Sequence, residues 1–174
     1  MSHLLSTVRQ AALISILIAS AAWCVALTGV LQSQSAPRFA ELSPRDLVRL
    51  DQQRAVIGAM VKERYGSSLS RTTKDISVLQ RLVDDRAFSN SHTYELQSLG
   101  VAFGDVLASA LPLHWVMITD EYGTDPTLRY KQSVVNVNAL TMISKRIERG
   151  ERLSLERRFE ITREQLTNVD KRSR

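Results

Sequence analysis

Three carboxylates and a phenol stand close together in WVMITDEYGTDPTLRY, residues 115–130: Asp120, Glu121, Tyr122 and Asp125. Hard divalent cations take oxygen ligands, so the three acids are of a type that could hold one. Asp120 and Asp125 with one histidine would then suit a small hydrolase or metal-dependent enzyme. The spacing argues against this. A helix-loop-helix calcium site needs acids at alternating positions, then a glycine and a distant glutamate. The same letters serve a hairpin turn: acids at a strand end stay solvated, Gly123 supplies freedom to turn, and Asp125-Pro126 favours the start of a turn. Polar and aromatic groups on a loop held by a rigid sheet suit recognition, so Asp120, Glu121, Tyr122 and Asp125 are the candidate binding residues.

Other chemistry is thinly represented. His92 and His114 follow no His-x-x-x-His or Glu-flanked spacing, so no zinc site is expected. There is no Gly-x-Ser-x-Gly elbow, and Ser144-Lys145 lacks the two intervening residues of a Ser-x-x-Lys pair. No glycine loop of the phosphate-cradling kind occurs. Cys24, the only cysteine, lies in an apolar stretch near the start, which leaves the rest of the chain without a disulfide or a thiol nucleophile. No cofactor and no metal is expected, and binding is favoured over catalysis.

Charge is unevenly spread. Residues 37–144 hold twelve basic and twelve acidic side chains, whereas residues 145–174 hold ten basic and six acidic. The excess forms a basic strip: Lys145, Arg146, Arg149, Arg152, Arg157 and Arg158. Such a strip could meet anionic lipid, an acidic protein or nucleic acid. Glu148, Glu151, Glu156, Glu160 and Glu164 dilute it, which fits a solvated helix face with partial charge pairing. Nucleic acid is not expected, because no aromatic residues interleave the basic ones.

Residues 10–32, QAALISILIASAAWCVALTGVLQ, carry no charge. That run can cross about 30 Å of hydrocarbon as a helix. It reads as a single-pass anchor in the inner membrane; the alternative is a signal segment cut near Ala19-Ser20-Ala21. Arg9 abuts the run on its amino side, which favours export of the downstream chain to the periplasm, against Arg38, Arg45 and Arg49 beyond it. With the opposite orientation the chain becomes a cytoplasm-facing basic module at the inner membrane. Residues 33–42 read as a linker and residues 43–174 as one domain.

The elements that must position the candidate residues follow from periodicity. A first helix opens at Ser43-Pro44-Arg45-Asp46, a capping box with proline at the first helical position, carries Leu47, Leu50, Ile57 and Val61 on one face, and stops at Gly66. A short second helix opens at Thr72 with Asp75 three residues on, and has Ile76, Leu79 and Val83 as its stripe. A third over residues 92–110 places Leu96, Leu99, Phe103, Val106, Leu107 and Ala110 at helical spacing. Gly100 and Gly104 lie inside it, each weakening it by about 1 kcal/mol relative to alanine, so close approach of a neighbouring element is expected there. Flanking Asp105 excludes a membrane dimer motif. Residues 114–119 and 133–137 read as strands, with residues 128–130 able to pair with the first and Lys131-Gln132 as a bulge or bend. Trp115 belongs to the core. Leu140, Ile143 and Ile147 mark a fourth helix ending at Gly150. Leu155, Phe159, Thr162, Leu166 and Val169 mark a fifth. The fold class is α+β: one small domain of about five helices with a β-hairpin or short antiparallel sheet, behind a hydrophobic helix.

LGVAFGDVL in the third helix, then WVMITDEYGTDPTLRY and SVVNVNALTMISKRIERGE, resemble the bacterial family known as domain of unknown function 3806, over residues 96–151. Trp115, Asp120-Glu121-Tyr122-Gly123 and the helix of residues 141–150 carry most of the resemblance. It implies a small α+β domain, sometimes behind an export signal. It implies no activity, and so supplies no catalytic residues. The reading is a membrane-anchored or exported binding module of the cell envelope with an unidentified protein partner.

Overall fold

The computed structural model describes residues 36–89 and 91–172. In chain order these form β1 (Arg38–Ala40), α1 (Pro44–Tyr65), a 3-10 turn (Thr73–Asp75), α2 (Ile76–Asp84), α3 (Thr93–Ala110), β2 (Leu113–Asp120), β3 (Gly123–Tyr130), β4 (Asn136–Val137), α4 (Ala139–Glu148) and α5 (Leu155–Arg172). The four strands make one antiparallel sheet in the order β1-β2-β3-β4. The fold is α+β, as the periodicity indicates. Residues 10–32 lie outside the described residues, and no described helix is long and apolar enough to cross a membrane.

The helix ends are set by short-range chemistry. Ser43 caps α1: its hydroxyl accepts from the Asp46 amide, while Asp46 Oδ2 accepts from the Ser43 amide at 2.9 Å and from its hydroxyl at 2.6 Å. Gly66 closes the helix at φ +62°, a conformation that costs a side-chain-bearing residue steric energy. The buried face of α1 is Leu50, Gln53, Ile57 and Val61, whereas Leu47 is exposed. The box expected at Thr72 does not form. Asp75 instead turns back on the preceding loop and accepts from the Ser70 amide and hydroxyl and from the Arg71 amide. Serving three donors there holds the loop, and α2 starts one residue later.

α3 is the centre of the domain. Leu96, Leu99, Phe103, Val106 and Leu107 are fully buried, as their spacing indicates, and the helix packs against α1, α4 and β2. The glycine expectation holds. A Cβ on Gly100 would stand 2.5 Å from the Ala139 carbonyl oxygen and 2.7 Å from that of Leu140, and one on Gly104 would stand 2.5 Å from the Trp115 ring. Backbone of α4 and the indole of β2 therefore occupy the space that side chains would need. Leu113, Trp115, Leu128 and Tyr130, on one face of the sheet, join this core.

Two long-range links fix α5. The Gln80 amide in α2 donates to the Leu153 carbonyl at 3.0 Å and accepts from the Leu155 amide at 2.8 Å, serving as a cap from another element. At the other end, Asp170 accepts from the Tyr130 hydroxyl and the Lys131 ammonium, both at 2.7 Å.

Candidate functional site

The acidic stretch is the tip of a hairpin. β2 and β3 pair without a break from Leu113↔Tyr130 to Asp120↔Gly123, so Glu121 and Tyr122 alone form the loop. Gly123, at φ +132°, provides the backbone conformation that returns the chain. The Asp120 carboxylate accepts from the Tyr122 amide at 2.8 Å, a side-chain turn that fixes the tip. Thr119 and Thr124 join hydroxyls beneath it at 3.0 Å.

Asp125 and Pro126 are not turn residues. They stand in β3 opposite Ile118 and Met117, and the whole of residues 123–130 pairs with β2. The sharp bend comes later, at Lys131, φ +49°, and leaves only Asn136–Val137 of the expected second strand. Residues 38–40, within the stretch read as linker, pair with β2 as an edge strand.

At the tip, Tyr122 is 88% exposed. Hydrogen bonding to the Glu121 carboxylate, with its negative charge, holds the Tyr122 phenol above its ordinary range. Among the described residues no ion pair engages Asp120, Glu121 or Asp125. The hairpin thus ends in solvated carboxylates and an exposed phenol on a ladder of eight register pairs. Neither histidine joins them: His114 faces Arg129 at the far end of the ladder, and His92 is exposed ahead of α3. Among the described residues, no group of three or more His, Cys, Asp or Glu could hold a metal ion.

The basic strip is only partly gathered. Arg146 and Arg149 both reach Glu151, at 4.0 and 3.7 Å. Arg158 is close enough to feel Arg146 and Glu151; burial, and next the neighbouring Arg146, lower its pKa. Arg152, with Glu151, lines a cleft of about 710 Å³ shared with Arg86 and Phe88. Lys145 and Arg157 are exposed. Of the glutamates interspersed in the sequence, Glu151 alone pairs with the strip among the described residues, while Glu160 pairs with Arg163 outside it.

A cluster not evident from the sequence joins α1, α3 and β2. Arg54 donates to both oxygens of the buried Asp105 carboxylate, Nε and Nη2 each at 2.7 Å, and the Trp115 indole donates to Oδ1 at 2.9 Å. Arg54 Nη1 also donates to Asp51 at 2.9 Å. The hydrogen bonds to Asp105 hold the Arg54 guanidinium even more firmly protonated than usual. Arg54 and Asp105 border a cleft of about 410 Å³ with Gly58, Lys62, Arg71 and Asp75. One signal could have pointed to it: Asp105 is a lone charge in the apolar run VAFGDVLASA, and a buried carboxylate requires a partner. Nothing in the sequence selects Arg54 among the basic residues of α1.

No curated protein matches the chain by sequence. A crystal structure from Bacteroides thetaiotaomicron VPI-5482 is similar, with a TM-score of 0.66 at 12% identity, covering 73% of this chain. At that identity the likeness shows the fold, and the chain spans 47% of that protein's length. The family described as Domain of unknown function (DUF3806) matches residues 75–159, a stretch that includes Asp105, Trp115 and the whole hairpin; over it the chain resembles that family, as the motifs around Trp115 and Tyr122 indicate.

Proposed function

We propose that the chain is a non-catalytic binding module of the bacterial cell envelope that recognises a protein partner with the tip of the β2–β3 hairpin. The observation that carries this reading is the tip itself: Tyr122, 88% exposed, beside Asp120, Glu121 and Asp125 on a fully paired ladder, with no ion pair at any of the three acids among the described residues. A rigid scaffold lowers the ordering cost of binding. Carboxylates with no internal cation favour a basic partner surface, and tyrosine is a common anchor in such contacts. The uncharged residues 10–32 support attachment to the inner membrane, or release into the periplasm after cleavage, with the domain on the periplasmic side.

Alanine at Tyr122 and Asp125 together tests the binding half. Partner capture from membrane extract is lost, while stability stays within about 1 kcal/mol of wild type, since both side chains are exposed. Unchanged capture, or a large loss of stability, contradicts the reading. Protease added to cells with a permeabilised outer membrane tests the location. Cleavage of the domain at that point supports the periplasm. Protection until the inner membrane is broken instead supports the second reading, a cytoplasm-facing module whose basic strip meets lipid; Lys145, Arg152 and Arg157, exposed and without an ion pair among the described residues, favour that alternative.

A further inference from the structure

Two surfaces of the domain are incomplete in complementary ways. The hairpin tip is a two-residue loop that presents Tyr122 beside Asp120, Glu121 and Asp125, none of them in an ion pair among the described residues. Residues 145–158 have the opposite imbalance, six basic side chains against three glutamates. Arg146 and Arg149 both reach Glu151, yet the buried Arg146 Nε, 4.0 Å away, has no hydrogen-bond partner. Lys145, Arg152 and Arg157 are exposed and engage no carboxylate in an ion pair among the described residues. Cations gathered at this density around one shared carboxylate are complemented by an acidic surface.

The strip also borders a concavity. The cleft of about 710 Å³ has Leu82, Val83, Phe88, Ile147 and Leu153 in its wall. Its own charges balance: Asp84 and Glu151 stand against Arg86 and Arg152, and Asp84 accepts from the Gln80 amide at 2.8 Å. An apolar wall with two exposed guanidinium groups suits an aromatic ring that keeps a polar end in water, and arginine stacks well on such a ring. Tyr122 is such a group, and no ion pair joins tip and strip within the chain among the described residues.

We propose that the partner of the hairpin is a second copy of this chain: Tyr122 of one copy enters the 710 Å³ cleft of the next, and Asp120, Glu121 and Asp125 meet Lys145, Arg152 and Arg157. The proposal rests on the hairpin as the recognition surface and names what it recognises. Tip and cleft are different surfaces, so the contact is head-to-tail and builds a ring or an open chain.

The test is sedimentation velocity of the full chain in a non-ionic detergent, across protein concentration and salt. The expected result is self-association that grows with concentration and weakens with salt. A tip variant, Tyr122→Ser with Asp125→Lys, and a strip variant, Arg152→Glu with Arg157→Glu, each weaken it by about tenfold or more. All four side chains are exposed, so both variants keep a cooperative thermal transition. Mixing the two restores a one-to-one complex that grows no further, because each supplies the surface the other has lost. Monomers at every concentration, association that survives in either variant, or a mixture that forms no complex overturns the proposal. Monomers that still capture a different protein through Tyr122 leave the hairpin reading standing, whereas monomers that capture nothing overturn both.

Discussion

At the scale of residues, the domain depends on the buried Asp105 carboxylate and on two missing side chains, at Gly100 and Gly104. Asp105 satisfies three donors, and its removal leaves the half-buried Arg54 guanidinium and the Trp115 indole without their acceptor. Asp105→Ala is therefore expected to lose about 3 kcal/mol or more in urea denaturation, because an orphaned partner of a buried pair is costly. Trp115→Phe keeps a ring against Gly104 and forfeits one hydrogen bond, so its loss should be smaller, about 1 kcal/mol. Gly100→Ala drives a methyl into the Ala139 and Leu140 carbonyl oxygens. Backbone cannot yield as a flexible side chain can, and a loss of about 1–3 kcal/mol or more is expected from overpacking. Gly58→Ala, on the open side of α1, should gain about 1 kcal/mol from helix propensity alone. Opposite signs at two helical glycines, read by the same denaturation curve, separate packing from propensity.

At the scale of elements, the caps and the cross-links are the exposed points of control. The Ser43 hydroxyl, then the Ser43 amide, hold the Asp46 carboxyl below its usual range. A depressed folded pKa contributes stability above the unfolded carboxylate range, which is lost as pH falls through the folded value. Tm measured down a pH series should consequently fall more steeply into acid for wild type than for Ser43→Ala; parallel curves would contradict a role for the box. Gln80 acts across elements rather than along one. Gln80→Ala leaves the Leu155 amide without its acceptor and should raise hydrogen exchange there, with a stability loss of about 1–3 kcal/mol. Local chemistry of this kind is what a sequence displays well. The Ser43-Asp46 box, the Gly66 stop and the apolar stripe of α3 are legible because each is set within a few residues. β1 is not, since three residues become a strand only when β2 offers them partners. Asp125-Pro126 carries turn propensity that the ladder overrides, Asp125 pairing with Ile118 and Pro126 with Met117. The stripe of α1 departs from its periodicity at one end for a similar reason: Leu47 faces solvent, while Gln53 is buried on the face that spacing assigns to apolar residues. Arg54 and Asp105 meet across 51 positions, a separation at which no periodicity carries information.

At the scale of the molecule, the hairpin tip and the basic end of the chain carry opposite charge. The tip is legible as a hairpin and as exposed, because acids, glycine and alternating apolar residues all favour one outcome there. Its partner is not legible, since affinity depends on the shape and charge of a second surface. If the tip is the recognition surface, its contacts should be salt-sensitive and specific to position. The most direct test places a photo-crosslinking residue at position 122 of the full chain in living cells, with a control at position 134, where Val134 is likewise exposed. A discrete adduct at 122, absent at 134 and weakened by Asp120→Asn with Asp125→Asn, is the expected result. No adduct at 122, or the same adducts from both positions, would contradict recognition by the hairpin.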